Sequence, residues 1–502
     1  MSPERPSPRI FPWRSILFLR NVMLPPSESV RDSALSVSPE NRALTVAVTL
    51  SNALLASVAG LSLLYCVYSV VNSKSDLLVR LSPAMIGLAC PLLLLFRHSV
   101  RLTAAGVVAG IVLGLYAAQL LSTFLIDPDR PALQAIQKAA QEKGVQFDGH
   151  TQLQEINEFR HHGSVAYPSF YPYHLLEAPL QVNGQPVVPL GSVSHALTVC
   201  CNEGGQYLTY TTDEHGFHNP PNIWTDPSPA DVAFVGASTA VGEAVPPADN
   251  LLSQLQARYP RTITVGAGGN GPLLEIASIR EYLHVLKPKR VLWMFSESHT
   301  PEYLQSEGQS KLLRRYLDDS SFSQGLLQKQ PELDKAIAKY FEDGIKVEAV
   351  AESWQTAVKG FLSLKNVRTA LYYYVTSRKA PKKPELDVDL YEQALREGRR
   401  MVDEWGGSIT IVYFPDSSRY AGICNYSPAL RQIYDRTHDS VLAVASKVGL
   451  PVIDLSKAFP DVPASESAQN APYFYPYPAH YTPQGYHRVG KAILDALEAP
   501  KR

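Results

Sequence analysis

The 502-residue chain carries 46 Lys plus Arg against 47 Asp plus Glu, a formal net charge of -1, so no basic excess is present to grip a nucleic acid with the whole protein. With 45% hydrophobic and 19% charged residues it can build a large core, which excludes global disorder. The mean hydropathy of -0.09 is that of an ordinary soluble protein, but the apolar residues are unevenly distributed.

Residues 1–42 read as a basic arm, with Arg5, Arg9, Arg14, Arg20, Arg31 and Arg42 among Pro and Ser residues. Residues 43–126 follow as a transmembrane region of two or three helices. Ala43 to Val71 and Leu102 to Ile126 contain no charged residue, and each exceeds the roughly 20 apolar residues that cross a bilayer. The apolar stretch between Arg80 and Arg97 is marginal in length and is expected as a third, short span, with a re-entrant hairpin as the alternative. A cleavable signal peptide fits poorly, because a long polar arm precedes the first apolar run. Arg97, His98 and Arg101 make the second loop more basic than the first, which holds Lys74 and Arg80 beside Asp76. With three spans the positive-inside rule puts the arm in the cytoplasm and everything after Ile126 on the far side.

Residues 127–228 begin helically and then become irregular and rich in Tyr, Pro, Gly and His, the pattern of a stalk and a loop-rich cap. From 229 to 498 an α/β rhythm takes over. DVAFVG, TITVG, RVLWMFS, SITIVYF and PVID read as five strands with amphipathic helices between them, hence a parallel sheet covered on both faces. Charged helical segments over 301–385 interrupt the rhythm as a helical insertion between the third and fourth strands. Cys66 and Cys90 lie in apolar runs. Cys200, Cys201 and Cys424 remain, and either one disulfide from Cys424 to the adjacent pair or three free thiols fits.

Ligands of an open parallel sheet bind at the carboxyl ends of its strands, so the loops there are informative. The first strand is followed by Gly236-Ala237-Ser238, a Ser that can serve as a nucleophile or merely as a helix cap. The second is followed by GAGGNG, Gly266 to Gly271. This matches a dinucleotide fingerprint, with Glu297 as its acid, but it stands in the second βα unit, and backbone close to a reacting centre is the better reading. His480 stands in a loop with Tyr473, Tyr475, Tyr477 and Tyr481, as a general base or a structural His. Those tyrosines either stack on sugar rings or pack against the closing helix. His215 and His218, beside Asp213 and Glu214, read as a polar turn rather than a metal site. An α/β-hydrolase elbow is disfavoured because position 240 is Ala where G-x-S-x-G needs Gly.

Together, the Ser after the first strand, the Gly-rich turn, the polar third loop and the His before the last helix resemble the SGNH/GDSL hydrolase superfamily, in particular its membrane-attached bacterial members linked to cell-surface polysaccharides. The resemblance implies a flavodoxin-like three-layer fold, Ser238 as nucleophile, Gly269 as oxyanion donor and His480 as base. It also implies three departures. Ala237 replaces the acidic residue of the first block, His299 replaces the Asn that donates to the oxyanion, and Tyr477 and Pro478 stand where an Asp precedes the His. Tyr477, a backbone carbonyl, Asp416 or Asp454 is then expected to orient His480.

The expected function is a serine esterase or acyl transferase acting on ester-linked acyl groups, above all O-acetyl, of a cell-envelope glycan, with no cofactor or metal. The alternative is an inactive SGNH-like subunit that binds a polysaccharide or a membrane-protein partner. The resemblance implies a multi-pass protein of a bacterial inner membrane with its large domain periplasmic or extracellular.

Overall fold

The computed structural model describes residues 38–72, 77–125, 130–142, 144–351, 354–376, 383–419, 428–459, 473–475 and 480–499. Three helices open the described chain, the N-terminal unit ending at Gly114 within the third. Pro39–Asn72 has 34 residues and His98–Leu125 has 28. Both are long and apolar enough to cross a membrane. Leucines such as Leu61, Leu64 and Leu113 lie exposed along them, as lipid-facing side chains would. The intervening helix, Leu77–Leu93, has 17 residues, about 25 Å of rise against a hydrocarbon core of about 30 Å, so two of the three helices among the described residues are of full spanning length.

The second unit is built on five parallel strands: β1 (Val232–Val235), β2 (Thr262–Thr264), β3 (Arg290–Ser296), β4 (Ser408–Phe414) and β5 (Val452–Asp454). Their spatial order is β5-β4-β3-β1-β2, the doubly wound order of flavodoxin-like sheets, so the expected α/β class holds. Period-two alternation builds the two cores. Ala233, Val235, Val291, Trp293, Phe295, Ile409 and Ile411 face the helices Pro272–Ser278, Val388–Asp403 and Pro428–Val448. Val232, Phe234, Leu292, Met294 and Val412 face Leu251–Gln256 and the closing helix Pro483–Glu498. The order reverses between β1 and β3, which opens a crevice at their carboxyl ends.

The segment read as stalk and loop-rich cap contains a small sheet of Ala166–Pro168, Leu197–Val199 and Thr209–Thr211. Its Phe170, Leu175, Val188, Leu190 and Phe217 are buried in the same core as β1 and β3. The expected insertion supplies helices Thr300–Glu307, Lys311–Asp318, Gln330–Ala351, Trp354–Leu362 and Lys365–Thr376. It ties the cap down. Arg160 pairs with Glu342 at 2.7 Å, Asp334 accepts from Ser194 Oγ at 2.6 Å, and Phe341 stacks on Tyr167.

Candidate active site

The crevice holds Ser238, Gly269, His299 and His480 together in a cleft of about 330 Å³, so all four sequence-derived candidates converge. Each is set by its element. β1 ends at Val235, and Ser238 opens the short helix Ser238–Val241, whose first turn is closed by Ala240 N–H donating to Ala237 O at 3.0 Å. His480 is held by Tyr475 N–H, which donates to its carbonyl at 2.7 Å. Just beyond it, Thr482 caps the closing helix by accepting from Gly485 N–H.

Ser238 Oγ lies 3.1 Å from His480 Nε2, and Glu203 Oε1 lies 2.5 Å from His480 Nδ1. The buried Glu203 carboxylate is acceptor-only when ionised, so a neutral His480 carries its proton on Nδ1 and leaves Nε2 to accept from the serine hydroxyl. Burial presses the imidazole pKa down, but the charge of Glu203, its hydrogen bond and the nearby Glu243 outweigh it and lift His480 to about 9. Glu243 is pushed up to about 7, chiefly by burial, and its carboxylate receives a hydrogen bond from Tyr171.

Glu203 corrects the expected source of the acid. Asp416 lines the cleft, while its backbone N–H donates to Glu297. Asp454 is engaged by His438 Nε2 at 2.9 Å. Tyr477 lies outside the described residues, as does Cys424. The group that meets His480 Nδ1 comes instead from the cap, 35 positions ahead of Ser238 rather than just ahead of His480. Its loop is held firmly: Asn202 Nδ2 donates to Asp148 O at 2.9 Å, Asp148 N–H to Gly205 O at 2.7 Å, and Gln152 Nε2 to Val199 O at 2.9 Å. An acidic residue between an apolar strand and a Gly-Gly turn was its only mark in the sequence.

On the oxyanion side, the backbone N–H groups of Ser238 and Gly269 have no partner among the described residues, and both residues line the cleft. Gly269 is in the left-handed region at φ +75°, and a Cβ there would lie 2.1 Å from Tyr173 Cδ1. The next turn is claimed by the protein itself, since Glu307 accepts from Gly271 N–H at 2.7 Å and Leu273 N–H at 2.8 Å. A phosphate would meet that buried carboxylate, which disposes of the dinucleotide reading of GAGGNG. His299 lines the cleft, and its Nδ1 sits 3.0 Å from Ser298 Oγ. Burial, then Lys383, lowers its pKa, so the imidazole is neutral and keeps one N–H. Beneath it, buried Glu297 receives Arg419 Nε at 2.6 Å and the Tyr413 hydroxyl, bracing the ends of β3 and β4.

Tyr475 and Tyr481 are buried beside Tyr486 of the closing helix, so they pack rather than present faces to a ligand. The polar turn around Asp213 is as expected: Asp213 accepts from Phe217 N–H, Asn219 Nδ2 and Trp224 Nε1, while His215 and His218 point to Gln330 and Val241 O. Among the described residues, Cys200, Cys201 and Glu243 bring three potential metal-ligating atoms within 4.8 Å of one another, as do Asp148, His150 and Glu155. Cys200 and Cys201 are unbridged, with their sulfurs 3.1 Å apart.

No protein-family model matches the chain, and no curated protein matches it. Similar solved structures include TesA, at 10% identity and TM-score 0.29, covering 53% of this chain and 98% of that one. An acetyl xylan esterase, AlAXEase, is similar at 11% identity and TM-score 0.28, covering 53% and 99%. A lipase/acylhydrolase from Enterococcus faecalis follows at 14% identity and TM-score 0.29, covering 54% and 99%. Likeness at this level assigns no chemistry; what the structure adds is the hydrogen-bonded line Glu203, His480, Ser238 at the switch point of the sheet.

Proposed function

We propose that the chain is a membrane-attached serine esterase or acyl transferase of SGNH/GDSL type, acting on ester-linked acyl groups, above all O-acetyl, of a cell-envelope glycan. The observation that carries this is the Ser238–His480–Glu203 arrangement. Ser238 Oγ attacks the ester carbonyl as its proton passes to His480 Nε2, and Glu203 stabilises the imidazolium that results. The N–H groups of Ser238 and Gly269, with His299 Nε2, receive the oxyanion. His480 then returns the proton to the departing alcohol, leaving an acyl-serine that water or an acceptor hydroxyl resolves by the reverse proton path.

The inactive-subunit reading rested on three departures together, Ala237, His299 and the missing acid ahead of His480; the Glu203 carboxylate at 2.5 Å from His480 Nδ1 supports compensation of the third. The cleft lining adds acidic and hydroxyl groups without Lys or Arg among the described residues, which suits an uncharged ester better than an anionic one. An active-site-directed fluorophosphonate tests the proposal. The folded full-length protein should be labelled, and Ser238→Ala should lose the label. Absence of labelling in folded wild-type protein would overturn the reading.

A further inference from the structure

A second depression, of about 530 Å³, opens beyond the active-site cleft and shares Tyr173 and Tyr303 with it. The two rings lie 29° from parallel with centroids 5.8 Å apart, so aromatic carbon lines the junction of the two cavities. Around this junction stand Leu176, Glu177, Glu302, Ser306, Gln309 and Ser310, which mix apolar surface with two carboxylates, two hydroxyls and an amide. An acyl chain would use the apolar part alone and leave those polar groups unpaired. A pyranose would gain on both counts, because its C–H faces pack on aromatic carbon while its hydroxyls donate to carboxylates and pair with the amide.

Charge narrows the class further. No Lys or Arg lines the depression among the described residues, and burial lowers the pKa of His174 on its wall, so that ring adds no cation. A uronate or phosphate would face Glu177 and Glu302 without a counter-charge. The volume falls in the usual range for small-molecule sites.

We infer that this depression is a sugar subsite that holds a non-acidic pyranose next to the residue bearing the ester. The inference rests on the proposed reaction at Ser238 and names the substrate class for it. It also gives the start of the insertion a task, since Glu302, Tyr303, Ser306 and Gln309 all belong to it.

The test uses full-length protein in detergent and two readouts. Calorimetric titration with cellotetraose, xylotetraose and chitotetraose should detect binding of at least one, none should be matched by tetragalacturonate, and Ser306→Trp, which fills the depression, should weaken that binding at least tenfold. In parallel, the ratio of kcat/KM for the acetylated form of the bound tetrasaccharide to that for 4-nitrophenyl acetate should fall at least tenfold in Ser306→Trp. Glu177→Lys/Glu302→Lys should improve binding of tetragalacturonate. No binding of any neutral tetrasaccharide, or binding indifferent to Ser306→Trp, overturns the subsite even if 4-nitrophenyl acetate is hydrolysed. Binding without any ester hydrolysis leaves the subsite standing and defeats the proposed reaction.

Discussion

Glu203 Oε1 lies 2.5 Å from His480 Nδ1 although the two residues are 277 positions apart in the chain. The contact converts an isolated histidine into an oriented base. Replacing Glu203 by Gln should lower kcat on 4-nitrophenyl acetate by about 10³- to 10⁴-fold. The pH profile gives a second signature. His480 accepts a proton only when neutral, and its pKa of about 9 means that kcat/KM should rise with pH towards that value. Removing the Glu203 charge lowers the imidazole pKa, so the rise should move to lower pH in the Gln variant. An unmoved midpoint would show that Glu203 does not act on His480.

His299 stands where the resembling family has an Asn donor. His299→Ala should reduce kcat by about 10²-fold with little change in melting temperature, and His299→Asn should recover most of the loss. Equal activity of wild type and His299→Ala would remove His299 from the oxyanion site.

Gly269 combines a positive φ with the close approach of Tyr173. Gly269→Ala should destabilise the soluble unit by about 1–3 kcal/mol and reduce turnover. Adding Tyr173→Ala should recover part of the stability, because it removes the overlap and leaves only the backbone strain. A thermal-shift series of the two single variants and the double variant separates these contributions.

Arg419 holds the buried Glu297 beneath the cleft. Arg419→Leu strands that carboxylate and should cost about 3–5 kcal/mol, whereas Arg419→Leu combined with Glu297→Gln should be distinctly less damaging. Thermal denaturation of the detergent-solubilised variants measures the difference.

The number of membrane crossings decides which side of the bilayer the active site faces. Three crossings place it opposite the N-terminal arm, and two place it on the same side. An exposed thiol introduced by Ser320→Cys should react with a membrane-impermeant maleimide in sealed cells if the expected external placement holds. Reaction only after permeabilisation would instead assign residues 77–93 to a non-crossing helix.

Much of this was legible in the chain because it depends on local pattern. The short continuous apolar runs in Val232–Val235 and Arg290–Ser296 mark strands buried on both faces, and small residues after each strand mark loop ends where chemistry collects. Ser238 and the Gly-rich turn follow from that logic, whereas Gly269, His299 and His480 were singled out as site residues through the resemblance to the SGNH/GDSL blocks. Glu203 followed from neither, because nothing local distinguishes a carboxylate that will be buried against a distant histidine from one that will be solvated. The cap was misleading for the same reason. Its Tyr-, Pro- and Gly-rich composition suggests loose loops, yet Phe170 and Leu190 are buried in the central core through contacts that no periodicity announces. Tyr475 and Tyr481 were ambiguous between ligand and helix, and only their tertiary surroundings decide for the helix.

That the acid of the triad belongs to the cap has a consequence for how activity arises during biosynthesis. The sheet alone supplies a serine and a histidine, and under the proposed reaction a chain whose cap has not docked would lack the carboxylate that orients His480. Full competence would then require segments made early and late in synthesis to have come together. An excised 229–498 fragment should therefore bind a fluorophosphonate poorly even if its sheet forms, and co-expression with residues 127–228 should restore labelling. If Ser238 cleaves esters as proposed, its activity would report that the cap has docked, and immature protein would not carry an activated nucleophile.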